Sequence, residues 1–172
     1  MARMNEIDNN QAVNEILGEV QEAFGMLPKL WTLYANHPAL LKANWEKQKL
    51  IMNEGLLSAK LKQAIALSVS VANSCQYCVD AHKMMLESMG VNSEDVEKNE
   101  YEKAGFSKKE SLLLEFSNEV NSNAYKIEDK LFKVLRENSC SDAEILEALG
   151  VVELYVGYNL FLNTLDVEGG SL

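Results

Sequence analysis

Ser74-Cys75-Gln76-Tyr77-Cys78-Val79-Asp80-Ala81-His82 puts two thiols and an imidazole at spacings of three and seven residues. At about 100° per residue these positions return to one helix face, so whether this stretch is helical decides both fold and chemistry. On a helix, Cys75 and Cys78 come about 5–6 Å apart at Cα, within disulfide range. His82 follows one turn beyond Cys78, where an imidazole can take or return a thiol proton. A thioredoxin-type fold would also carry a dithiol, but it needs strands, and nowhere does the chain sustain an alternation of period two. An all-α protein is expected.

Working outward, the flanking sequence divides into helical stripes punctuated by turn residues. Upstream, Ser58 is placed to cap a helix through Leu61, Ile65, Leu67 and Val69 toward Asn73. Asn73 and Ser74 favour caps and turns, so Ser74 is expected to start the cysteine-bearing helix, which runs to Gly90. Nearer the N-terminus, residues 10–24 show an apolar stripe closed by Gly25, Pro28 opens a short segment to residue 36, and Pro38 begins a helix to about residue 53. Downstream, Ser93 is expected to cap a charged helix as far as Ala104-Gly105, Ser107 another, and residues 127–137 a further one. Ser141 caps a last helix of about 24 residues that is apolar on most sides from Leu149 to Leu165. Such a helix is buried centrally or shared between subunits, and a homo-oligomer is expected. The chain reads as a single domain over residues 1–172 with about seven to eight helices, without linker or low-complexity segment.

The chain has 172 residues, 47% hydrophobic and 24% charged, enough for one well-cored domain. A net charge of −10 argues against nucleic acid or an anionic membrane as partner, since both need a basic face. The first ten residues are polar, unlike a secretory signal, and no uninterrupted apolar run reaches the roughly 20 residues of a membrane span. Three cysteines, an odd number, do not make a secreted disulfide scaffold. A cytoplasmic protein is expected.

A thiol reacts as its thiolate, which a helix N-terminus favours and a nearby imidazole can generate. A second thiol within reach converts a sulfenic acid to a disulfide before over-oxidation, and an external thiol must then reduce that disulfide. Two alternatives stay open at this point. The cysteines can be small core residues, as Cys140 is expected to be; or Cys75, Cys78 and His82 can bind zinc with His37 as a distant fourth ligand, although that spacing matches no familiar structural site. Trp31, Trp45, Met84 and Met85 could border an apolar substrate channel, or simply belong to the core.

The stretch Ala64-Ile65-Ala66-Leu67-Ser68-Val69-Ser70-Val71-Ala72-Asn73-Ser74-Cys75-Gln76-Tyr77-Cys78, followed by Ala81-His82, resembles the alkylhydroperoxidase D-like proteins of the carboxymuconolactone decarboxylase superfamily. Leu27-Pro28, Pro38-Ala39-Leu40-Leu41, Ser141-Asp142-Ala143-Glu144-Ile145-Leu146 and Asn163 extend the likeness to its peroxidase-related branch over roughly residues 20–166. The resemblance implies an all-helical bundle assembling as a trimer or hexamer, and a thiol peroxidase needing neither haem nor metal. It implies that Cys78 attacks the hydroperoxide, that Cys75 resolves the sulfenic acid, and that His82 belongs to a proton relay. It also implies recycling by a dithiol reductant such as a dihydrolipoyl protein. Two positions depart from the pattern. Gln63 stands twelve residues before Cys75, where the family relay has glutamate, and Tyr77 stands where its best-known peroxidases have histidine. An amide can orient His82 but cannot act as a base, whereas Tyr77 can still donate a hydrogen bond. The expected function is therefore thiol-dependent hydroperoxide reduction, with a disulfide-exchange partner or redox sensor of weak peroxidase activity as the alternative. A muconolactone-type decarboxylase, which does not depend on a dithiol, and a non-catalytic assembly protein are less favoured.

Overall fold

Capping residues set the frame of the protein. In a computed structural model describing residues 2–170, nine α-helices and one 3₁₀ turn follow one another, without a strand among the described residues. They are α1 (Asn14–Phe24), α2 (Lys29–Tyr34), α3 (Pro38–Asn53), α4 (Ala59–Ala72), α5 (Gln76–Ser88), α6 (Ser93–Glu97), α7 (Lys108–Asn123), α8 (Asp129–Glu137) and α9 (Asp142–Thr164). Ser58 Oγ accepts the Leu61 N–H at the start of α4, while Ser107–Glu110 and Ser141–Glu144 form full capping boxes on α7 and α9. His37 caps α3, its Nδ1 accepting from the Leu40 N–H at 3.4 Å, with Pro38 at the first helical position.

The count exceeds the expected seven to eight helices, and two expected caps are displaced. Asn92, not Ser93, caps α6, because its Oδ1 accepts the Glu94 and Asp95 N–H groups. That helix ends at Glu97 rather than near residue 104, since Asn99 turns into the left-handed region at φ +60°. Ser74 likewise has φ +54°, which turns the chain out of α4, and Cys75 becomes the N-cap of α5.

At the centre, α4 packs on α5, α7 and α9. Its Leu61, Ile65, Leu67 and Val69 are almost wholly enclosed, each stabilising the fold by roughly 1.5–3 kcal/mol. The 23 residues of α9 are apolar enough, with mean hydropathy 1.5, to cross a membrane by length and composition, although no long unbroken apolar run is apparent in the sequence. Half of that segment is buried within the protein. Val151, Val152, Leu154, Tyr155, Tyr158 and Leu162 enter the core, while Leu146, Leu149, Val156 and Leu160 form an exposed apolar stripe.

A buried ion pair fixes the start of α4. Lys62, only 1% exposed, places Nζ 2.7 Å from Glu147 Oε1 and donates to the carbonyls of Ile51 and Glu54. Glu147 in turn accepts the Leu56 and Leu57 N–H groups, locking the α3–α4 loop onto α9. Gly55 is required there: its φ is +107°, and any side chain would run into the Glu147 carboxylate.

Candidate active site

The corner between α4 and α5 is built by backbone geometry and three asparagines. With Ser74 left-handed, the Cys75 N–H reaches back to the Ser70 carbonyl at 3.0 Å. Asn73 pairs with Asn121 of α7, and Asn163 of α9 donates to the Asn73 carbonyl at 3.0 Å. Cys75 and Cys78 therefore occupy the N-cap and third positions of α5, the same relation that brings a capping side chain over the first turn. Their sulfurs lie 2.8 Å apart, as free thiols. The residues do not share the body of one helix, as the spacing suggests, but the displaced cap still brings them together.

Burial and the shared hydrogen bond split the pair. Cys75 is shifted below an ordinary thiol, mainly because the Cys78 thiol hydrogen-bonds to its thiolate. Cys78 is shifted up by the same bond and by burial, with Ser70 pulling the other way. Of the two, Cys75 is therefore the more readily ionised, and in the neutral pair its thiol donates to Cys78 Sγ. Only Cys78 lines the adjoining cavity.

This cavity, about 280 Å³, lies between the α1–α2 connection and helices α2, α3, α4, α5 and α9. Cys78, Gln63, Tyr77 and His82 line it together, and Cys75 backs it through its contact with Cys78. Of the four apolar candidates, Trp31, Met84 and Met85 line it as well. Trp45 does not; it packs edge-on behind Trp31 and donates to Glu19. Met26, Met84 and Ser88 stand exposed at the rim. No lining residue carries a charge, because burial pushes His82 down to about 3 and leaves its imidazole neutral.

His82 Nδ1 lies 2.6 Å from Gln63 Oε1. An amide oxygen only accepts, so Nδ1 carries the proton and Nε2 keeps a free lone pair. The Tyr155 ring meets the imidazole edge-on at 4.5 Å. Tyr77 is 3% exposed, its phenol pushed up to about 12 by burial against the pull of the Leu30 and Lys29 backbone, and its hydroxyl makes no well-formed hydrogen bond. The site therefore combines a paired dithiol, a neutral base oriented by an amide, and a protonated phenol.

Several neighbours carry no signal in the local spacing. Gln48 of α3, and Tyr155 and Tyr158 of α9, reach the site from helices distant in sequence, while Ser70 comes from the end of the neighbouring α4. His37 remains engaged at the α3 cap, and no group of three or more His, Cys, Asp or Glu side chains suited to a metal occurs among the described residues. Cys140 is buried between α8 and α9 and does not line the cavity.

Residues 38–110 match the model of the carboxymuconolactone decarboxylase family. An alkyl hydroperoxide reductase of Mycobacterium tuberculosis is 33% identical over 79 residues, covering 46% of this chain and 23% of that protein. The chain thus spans about a quarter of the length of that curated relative. The AhpD-core, peroxidase-related protein of Ralstonia eutropha JMP134 superposes with a TM-score of 0.87 at 23% identity, covering 98% of this chain and 92% of the other. The debrominase Bmp8, solved with 2,3,4-tribromopyrrole, superposes at 0.80 with 17% identity, covering 98% and 93%. At these identities the structural likeness is one of fold. That fold is the all-helical AhpD-like one expected from the dithiol stretch.

Proposed function

We propose, from a carboxymuconolactone decarboxylase family segment set in an AhpD-like fold, that this chain is a thiol-dependent hydroperoxide reductase. The observation that carries the reading is the Cys75–Cys78 sulfur contact at the wall of an uncharged, largely apolar cavity that Cys78 alone of the two lines. The fold by itself does not select the reaction, since it also carries a debrominase.

In this reading His82 Nε2 takes the Cys78 thiol proton and leaves the thiolate on the sulfur a ligand can reach, with the Cys75 thiol donating to it. Cys78 Sγ attacks the terminal oxygen of ROOH; the S–O bond forms, the O–O bond breaks, and RO⁻ leaves as ROH with the proton that His82 returns. Tyr77, kept protonated by burial, is the nearby phenol suited to hydrogen-bond that oxygen. Cys75 then attacks the Cys78 sulfenic acid, the S–S bond forms and water leaves. Two thiols have supplied two electrons to one peroxide. The disulfide is recycled by an external dithiol; a slender dihydrolipoyl arm suits cysteines only 1% and 4% exposed. We assign the reaction to the cytoplasm, where such thiol reductants operate, and the exposed α9 stripe to contact between copies in a trimer or hexamer.

One observation favours the slower alternative, a disulfide-exchange partner or redox sensor. His82 is held neutral by burial and faces an amide rather than a carboxylate, so it gains no charge support on taking a proton. Stopped-flow mixing of the reduced protein with cumene hydroperoxide and with an oxidised dithiol separates the two. Peroxide reduction requires fast Cys75–Cys78 disulfide formation with the hydroperoxide. Fast reaction with the dithiol disulfide alone leaves the sensor reading.

A further inference from the structure

Gln48 is a buried amide in the cavity that the proton relay leaves unused. It projects from α3, is 9% exposed, and lines the cavity. Its amide faces the Tyr155 hydroxyl and opposes the rise that burial imposes on that phenol. Its Oε1 has no partner. A buried carbonyl oxygen without a donor is destabilising and uncommon in a native protein. Around it the surfaces are Trp31, Tyr158, Leu162 and the methionines, with no cation to hold a carboxylate or phosphate. The volume lies just below the roughly 300–1,000 Å³ range of drug-sized ligand pockets, which suits a fragment of one ring or a branched alkyl group.

We infer that Gln48 is the substrate-binding acceptor of this cavity, and that it selects a small, uncharged, apolar molecule bearing one O–H donor. In the peroxidase reading, on which the reactive step rests, that donor is the terminal O–H of an organic hydroperoxide. Gln48 Oε1 holds this hydrogen and so fixes the oxygen to be attacked, while the apolar body R fills the space between Trp31, Tyr158 and Leu162. The hydrogen stays on that oxygen and ends on the Cys78 sulfenic acid; ROH departs. Hydrogen peroxide lacks the body, and a fatty-acid hydroperoxide brings a carboxylate that the uncharged lining cannot pair.

The test compares binding and reaction. Trp31 lines the cavity, so its fluorescence reports occupancy by 2-phenyl-2-propanol, the unreactive alcohol of cumene hydroperoxide, and by the methyl ether of that alcohol, which lacks the donor. The native protein binds the alcohol about tenfold more tightly than the ether. Gln48→Met, of similar volume, abolishes that preference and raises the half-saturating concentration of cumene hydroperoxide about tenfold. Equal binding of alcohol and ether by the native protein overturns the inference without recourse to any variant. Unchanged alcohol preference and half-saturation in Gln48→Met overturn it too, and leave the peroxidase reading standing. A Gln48-dependent alcohol preference in a protein whose thiols stay reduced in the hydroperoxide supports the binding site and removes the peroxidase reading.

Discussion

Gln63→Glu restores a charge at the one point where the proton relay lacks it. Burial lowers His82 from 6.5 to about 3, which corresponds to about 5 kcal/mol against the imidazolium. Gln63 Oε1 is 2.6 Å from Nδ1, so a carboxylate there would sit about 4 Å from the centre of the cation. At an effective dielectric constant of about 20 the attraction is about 4 kcal/mol, or about three pKa units. His82 in the variant should then titrate near 6, and transfer of a thiol proton to it becomes easier by the same amount. With half of that gain expressed in the transition state, the peroxide rate rises about thirtyfold, short of the roughly 10²–10⁴-fold worth of full general-base assistance. Stopped-flow oxidation of the reduced protein between pH 5 and 8 measures the rate. NMR follows His82, one of two histidines in the chain. The gain should fade as pH falls through the new pKa, because a protonated imidazole cannot accept. A variant whose His82 titrates near 6 while its peroxide rate stays at the native value refutes the reasoning.

The remaining predictions follow from the same geometry. Cys75→Ser should leave a Cys78 sulfenic acid that dimedone traps, whereas Cys78→Ser should consume no hydroperoxide; trapping in the second variant instead would exchange the two roles. His82 is neutral in the folded protein down to about pH 3 but protonates in the unfolded chain near 6.5. Unfolding is thus favoured progressively as pH falls between those values, by about 5 kcal/mol in all, and denaturant titrations of His82→Phe should show a shallower acid loss across that window. Glu147→Gln strands the buried Lys62 cation and should cost about 3–5 kcal/mol, measured by urea unfolding, with Lys62→Met restoring part of it. Glu147 is itself held below the usual carboxylate range, chiefly by the Lys62 hydrogen bond acting against burial. Its contribution is present above about pH 4.5 and is lost as pH falls through its depressed value. Leu149→Lys with Leu160→Lys should reduce the sedimentation coefficient to that of a single chain, and an unchanged assembly would exclude the α9 stripe as the contact.

The helical fold was legible because the apolar stripes and the Ser58, Ser107 and Ser141 caps are local properties of the chain. So was the meeting of Cys75 and Cys78, although through a different register from the one expected. A sign change in φ at Ser74 cannot be read from a Ser-Cys pair, and it moved the cap by one residue. The contact between Gln63 and His82 was accessible through the family resemblance, since α4 and α5 are separated by a turn whose geometry the periodicity does not encode. Gln48 and Tyr155 were not legible: their place depends on how α3 and α9 rotate against α5, and that is decided by packing across the whole core. The burial of Lys62 is likewise decided at long range, by its partners on α9 and the α3–α4 loop.

The central claim is that a hydroperoxide entering the cavity oxidises Cys75 and Cys78 to one another. Adding one equivalent of cumene hydroperoxide to the fully reduced protein, followed by quenching, alkylation and peptide mass spectrometry, tests it most directly. The account predicts a Cys75–Cys78 disulfide with one equivalent of 2-phenyl-2-propanol formed and Cys140 still alkylated. Intact hydroperoxide with all three cysteines alkylated would contradict it.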